Sequence, residues 1–208
     1  MTNVVAIDGG FKRDSELGIS CMYMTKFSTP GDWFKVSVEK SSTVQRAEIN
    51  GLILALNYAV ETGESLTIIS DSSYVTNTVQ KEWYKNWENK GWVTASDEPV
   101  KNADLWQIAS KLLEEADVTV LHINSHVLSI GKVVAATLIA EEKYNLIRDI
   151  LVGKYETPNY TVLTRIEAAK ESFKLMNGIE APEESLKEMI ILNTIVDTLV
   201  DYVKNNLV

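Results

Sequence analysis

An apolar, β-branched run from Leu66 to Ile69 leads through Ser70 straight into Asp71, and this junction constrains the chain more than any other. A run of that length and composition forms a buried strand, and the carboxylate falls where the strand ends. In open α/β sheets that is where ligands bind. The stretch from Ser70 to Gln107 then continues as a helix to about Lys81. After it come Trp83, Tyr84, Trp87 and Trp92, interleaved with Lys81, Lys85 and Lys90. Flat aromatic faces with ammonium groups beside them suit a nucleic-acid strand, the rings stacking on bases or sugars and the lysines tracking phosphates. The same aromatics also read as a hydrophobic cluster supporting a protruding helix. Lys81, Lys85, Lys90 and Lys101 are offset by Glu82, Glu88, Asp97 and Glu98, so the protrusion is close to neutral.

The remaining pattern is that of an α/β chain. Asn3 to Ile7 reads as a strand running into Asp8-Gly9-Gly10, which places a second carboxylate at a strand end beside two residues that permit unusual backbone angles and close approach. Glu16 to Met24 and Trp33 to Glu39 read as two more strands of an antiparallel meander, turning at Pro30-Gly31. Thr43 to Glu61 has helical spacing in Ile49, Leu52, Ile53, Leu56, Ala59 and Val60, with Gly63 as its stop. Glu48 lies in its first turns on the face of Leu52 and Ala55, and Gly51 permits that face to approach the sheet. Taken alone, Glu48 is also what a solvated helix start carries, because the dipole favours it there. Asn102 to Ala116 is a further amphipathic helix, and Val118 to Ile123 a strand containing His122 and ending at Asn124-Ser125-His126.

Composition narrows the function classes. The 208 residues are 45% hydrophobic, enough for one domain of ~150 residues with something appended. A formal charge of −9 argues against gripping nucleic acid by bulk electrostatics, so any such contact is local. Cys21 is the single cysteine, and no Cys/His spacing suggests zinc. The N-terminus has neither the basic and apolar segments nor the cleavage site of a targeting signal, so a cytoplasmic protein is expected. Past Tyr155 to Pro158, a linker-like break, Ile166, Ala169, Phe173 and Met176 mark one helix ending at Asn177-Gly178, and Pro182 opens a second. Asn193, Asp197 and Asp201, four apart, form a polar stripe that rules out a membrane span there. From Leu151 on, six Lys/Arg face nine Asp/Glu, so this extension is not a basic arm. Residues 151–208 are expected to pack on the main domain (residues 1–150) or on a partner, with a homodimer as one form of the latter.

The run from Asp71-Ser72-Ser73-Tyr74-Val75 through Trp83, Asn86-Trp87, Lys90-Gly91-Trp92, Pro99-Val100-Lys101-Asn102 and Asp104-Leu105-Trp106-Gln107 resembles ribonuclease HI. Asp8-Gly9-Gly10 and Gln45-Arg46-Ala47-Glu48 resemble that family's first and second acidic motifs, and the resemblance covers residues 1–150. It implies a ribonuclease H-like α/β fold, a five-stranded mixed sheet flanked by helices, with a small helical extension. It also implies an endonuclease that cuts the RNA strand of RNA/DNA hybrids with two Mg²⁺ ions, for which Mn²⁺ can substitute. Asp8, Glu48 and Asp71 would hold the ions, an all-oxygen set suited to a hard cation. His126 resembles the family's mobile histidine, which assists proton movement or product release. Substrate contacts carry over to Gly9, to Thr43 for a DNA phosphate, to Gln45 and Ser73 near the sugars, and to Trp83, Lys85, Trp87, Lys90 and Trp92 in the protrusion. Val44 replaces a polar contact common there.

One position departs from the family. Gly131-Lys132-Val133-Val134-Ala135-Ala136-Thr137-Leu138 fits the frame of the fourth acidic motif, in which an Asp precedes a Leu by two, yet Ala136 stands where the Asp belongs. Glu141 and Glu142 are rotated off that face. The departure reads either as a ligand lost in a natural homologue or as an engineered Asp→Ala change, and the intact frame favours engineering. Either way slow hydrolysis or none is expected. The rival readings are a silent module that binds hybrid or a replication partner, and an integrase- or resolvase-like nuclease, against which the Trp-rich protrusion argues.

Overall fold

The computed structural model of the chain describes residues 3–25, 32–40, 42–125, 127 and 161–208. Three strands, β1 (Asn3–Lys12), β2 (Leu17–Thr25) and β3 (Asp32–Lys40), form an antiparallel meander, with a short 3-10 turn at Arg13–Ser15. Helix α1 (Val44–Thr62) crosses to β4 (Leu66–Ser70), which pairs parallel with β1. Three more helices, α2 (Ser73–Gln80), α3 (Trp83–Asn89) and α4 (Ala103–Glu115), lead to β5 (Val118–His122), parallel to β4. The sheet order is β3-β2-β1-β4-β5, a five-stranded mixed sheet as expected. Helices α5 (Thr161–Asn177) and α6 (Glu183–Asn206) complete the described chain. The Pro30-Gly31 turn, the Tyr155 to Pro158 break and the boundary at 150/151 lie outside the described residues.

Local chemistry sets the ends of these elements. The Thr43 side chain accepts from the Arg46 N–H at 3.2 Å and caps α1, while Gly63, at φ 68°, closes it by donating to the Ala59 carbonyl. Alternation along β1 then sorts its residues between two cores. Val5 and Ile7 join Met22, Leu52, Leu56, Ile68 and Trp106 beneath α1 and α4. Ala6 joins Ile19, Cys21, Tyr23 and Ile69 beneath α6, whose Leu186, Ile190, Ile195, Val196, Leu199 and Val203 are all buried. Among the described residues, α6 thus covers one face of the sheet at β1 and β2.

One expectation fails here. β1 does not end at Asp8, because it runs on to Lys12 and pairs with β2 through Asp8↔Cys21, Gly9↔Ser20 and Gly10↔Ile19. The long hairpin continues to satisfy the backbone, and the glycines serve the close approach that the sequence predicts. A Cβ on Gly9 would stand 2.3 Å from the Glu48 nitrogen, and one on Gly10 would stand 2.5 Å from Val200 Cγ1. The two glycines let α1 and α6 close on opposite sides of the strand at Asp8.

Candidate active site

The side chain of Asp8 stands in the middle of β1, part-buried, between these two approaches. Desolvation raises its carboxyl well above the usual carboxylate range; the charges of Asp71 and Asp197 add to this, and Glu48 adds less, while the Gly9 N–H opposes it. Glu48, in the first turns of α1, is half-buried, and its carboxyl is raised by desolvation and by Asp71 against a hydrogen bond from Ser72. Gly51 brings α1 down onto the sheet, since a Cβ there would lie 3.3 Å from the Asp8 carbonyl oxygen. Asp71 follows β4 directly, at the strand end the sequence predicts. Asp8, Glu48 and Asp71 therefore lie within reach of one another's charge, as the resemblance implies. Among the described residues no three His, Cys, Asp or Glu side chains are closed into a ready ligand shell, so the carboxylates are neighbours by charge rather than a finished cage.

Ser72 is a residue the sequence reading passed over. Its hydroxyl donates to Glu48 Oε2 at 2.6 Å and accepts from the Val75 N–H at 3.3 Å, so one atom caps α2 and fixes the carboxylate of α1. A serine directly after the Asp, at the start of a helix, is the signal that could have found it. Arg46 was read only as part of a motif. It forks onto Asp104 through two bonds of 2.9 and 2.8 Å and reaches Glu39 at 3.0 Å, which ties α1 to α4 and β3 two residues before Glu48.

The expected substrate contacts divide. Gln45, Ser73 and Lys90 are exposed, and Thr43 spends its hydroxyl on the α1 cap. Trp83 is 37% exposed with Lys81 Nζ 5.5 Å from its ring centre, a cation resting on an aromatic face. Trp87 and Trp92 pack instead against the core beneath α1, Trp87 meeting Trp106 at 6.0 Å between ring centres. Lys85 is paired with Glu82 at 2.5 Å. His122 is buried in β5 with its Nδ1 3.1 Å from Thr76 Oγ1. His126 and Ala136 lie outside the described residues.

The RNase H family model matches residues 2–142. The ribonuclease H of Polynucleobacter asymbioticus is 42% identical over 88 residues, which is 42% of this chain and 56% of that protein. That of Syntrophomonas wolfei is 33% identical over 108 residues, 47% of this chain and 74% of its own. That of Ruthia magnifica is 32% identical over 125 residues, 59% of this chain and 82% of its own. The chain thus spans little more than half the length of the first of these relatives and about four-fifths of the last. Among solved structures, the PFV RNase H domain gives a TM-score of 0.51 at 23% identity, over 60% of this chain and 79% of that one. The foamy viral protease-reverse transcriptase in complex with RNA/DNA hybrid gives 0.52 at 21% identity, over 60% of this chain and 17% of that one. These identities make the structural likeness one of fold. The family match ends at residue 142, before α5 and α6 begin.

Proposed function

Because this chain belongs to the RNase H family, we propose that it is an endonuclease that hydrolyses the RNA strand of RNA/DNA hybrids. The observation that carries the reading is the convergence of Asp8, Glu48 and Asp71 from β1, α1 and the end of β4: α1 is seated on β1 at Gly9, beside Asp8, where a Cβ would stand against the Glu48 nitrogen, and Glu48 is bonded at 2.6 Å to Ser72, the residue after Asp71. An all-oxygen set of this kind fits Mg²⁺ or Mn²⁺, in keeping with a family that depends on divalent metal. Two such ions, when bound, supply activation of a water and stabilisation of the leaving oxygen. Asp8 and Asp71 would hold them from the sheet, and Glu48 from the helix, with Ser72 keeping Glu48 in one orientation. Trp83, backed by Lys81, offers an exposed stacking face for one strand, and Thr43, Gln45 and Ser73 lie in the segments that open α1 and α2. His126 would assist proton movement or product release.

The test is cleavage of a labelled RNA strand paired with DNA in Mg²⁺, compared with the same RNA alone and in an RNA duplex. Cutting confined to the hybrid, lost to background in Asp71→Asn, is the expected result. A second reading, a silent module that binds hybrid, is favoured by Ala136. Tight hybrid binding without any cutting, in this chain and in Ala136→Asp alike, would replace the enzyme reading with it.

A further inference from the structure

The helix that closes the sheet brings another carboxylate to the same place. Ala6, Asp8 and Gly10 share the side of β1 that α6 covers, since alternate residues of a strand point the same way. At Gly10 the contact is so close that a Cβ would stand 2.5 Å from Val200 Cγ1. Asp197 precedes Val200 by three residues, close to one helical turn, and therefore lies on the side of α6 that meets β1. Asp8 precedes Gly10 by two and lies on the side of β1 that meets α6. The two carboxylates thus face one seam, and the charge of Asp197 acts on Asp8 more strongly than that of Glu48 does. One turn earlier on the same stripe Asn193 is 3% exposed, and its Oδ1 has no hydrogen-bond partner among the described residues. A buried amide oxygen of that kind calls for a donor, an ordered water or a cation. Asp201, the next of the stripe, is committed to Lys204 at 3.1 Å. Asp197 also precedes Leu199 by two, the spacing that the frame at Ala136 shows without its Asp.

We propose that Asp197, carried by the C-terminal helix, is the fourth carboxylate of the metal site, so that the chain is complete without an acid at position 136. The assignment deepens the hybrid-hydrolase reading and rests on it for the reaction. It also makes the residues beyond the family match part of the active site.

The test uses the full chain, its Asp197→Asn, Asp201→Asn and Ala136→Asp variants, and Mn²⁺ alone as the probe, titrated by calorimetry without nucleic acid and followed by hybrid cleavage. Asp197→Asn is expected to weaken Mn²⁺ binding at least ten-fold and to abolish cutting while its circular dichroism is unchanged, and Asp201→Asn to keep both. Unaltered Mn²⁺ affinity in folded Asp197→Asn overturns the assignment, whether or not the chain cuts. A parent chain that is silent while Ala136→Asp cuts also overturns it, and leaves the hybrid-hydrolase reading standing. Mn²⁺ binding that depends on Asp197 in a chain that never cuts upholds the assignment and sinks the hydrolase reading instead. If Asp197→Asn does not fold, Mn²⁺ broadening of amide resonances in the parent protein decides. Amides of residues 193–200 broadened together with those of Asp8 and Asp71 uphold the assignment, and sharp ones overturn it.

Discussion

Asp8 is a carboxylate held where a carboxylate is costly. Desolvation and the charges of Asp71, Asp197 and Glu48 all push its carboxyl up, against the relief of the Gly9 N–H. The folded protein without a cation therefore carries a repulsion that the unfolded chain lacks. Asp8→Asn keeps the shape and removes that charge, so it is expected to stabilise the metal-free protein by about 1–2 kcal/mol, a rise in melting temperature of about 2–8 °C for a chain of this size. The same variant should lose the stabilisation that Mg²⁺ gives the parent, because a ligand that binds only the folded state raises its stability by mass action. Melting curves in chelator and in Mg²⁺ check both halves. An Asp8→Asn protein that melts lower in chelator would show that Asp8 contributes through packing or hydrogen bonds rather than through opposed charge.

At the scale of elements, α1 is fixed at its N-terminal end by Arg46, which pairs with Glu39 of β3 and Asp104 of α4. The Arg46 guanidinium holds both carboxyls below their usual range. Groups with depressed folded pKa values give stability that is present above their unfolded pKa and lost as pH falls through the folded one. Both carboxylates are substantially solvated, so the network is worth about 1 kcal/mol in all. Arg46→Met is expected to lose about that much at pH 7, with the gap to the parent shrinking below about pH 4 as Glu39 and Asp104 protonate. Urea denaturation at the two pH values measures it, and a gap that stays constant with pH would mean that the loss is one of packing. The helix was legible in the sequence, because its apolar period and its Gly63 stop are local. Its clamp was not, because Arg46 and Asp104 are 58 residues apart and no local period pairs them. The same limit explains the site. Asp71 could be placed because a strand end is a local event, and Glu48 because a helix face is. Asp8 was misplaced to a strand end because the apolar run stops at Ile7 and two glycines follow, and only the pairing with β2 carries the strand on to Lys12. The stripe Asn193, Asp197, Asp201 was visible as periodicity, yet periodicity does not say which sheet face a helix will cover.

For the whole molecule, the sheet is a layer between two sets of helices that differ in kind. The α1 and α4 side is built from segments between the strands, whereas β1 and β2 are covered on the other side by α6, at the far end of the chain. Helix α5 secures the edge strand. Asn177 accepts from the His122 N–H at 2.7 Å and donates to the His122 carbonyl at 2.9 Å, pairing with the free side of β5 as a further strand would. Burying each large apolar side chain of α6 contributes about 1.5–3 kcal/mol, and several together exceed the ~5–15 kcal/mol by which a typical domain is stable. A chain ending at Ala181 would expose Ala6, Ile19, Cys21, Tyr23 and Ile69 to water. It is expected to lose cooperative melting, bind a hydrophobic dye and aggregate, as read by near-ultraviolet circular dichroism, dye fluorescence and sedimentation. A truncated chain that melts cooperatively as a monomer would show that α6 is dispensable to the core. The comparison with Asp197→Asn then separates the two duties of one helix: truncation should remove fold and cation binding together, whereas the point change should remove cation binding and leave the fold. A helix that covered the sheet and nothing more would give no such separation, because the Asp197→Asn protein would match its parent in both.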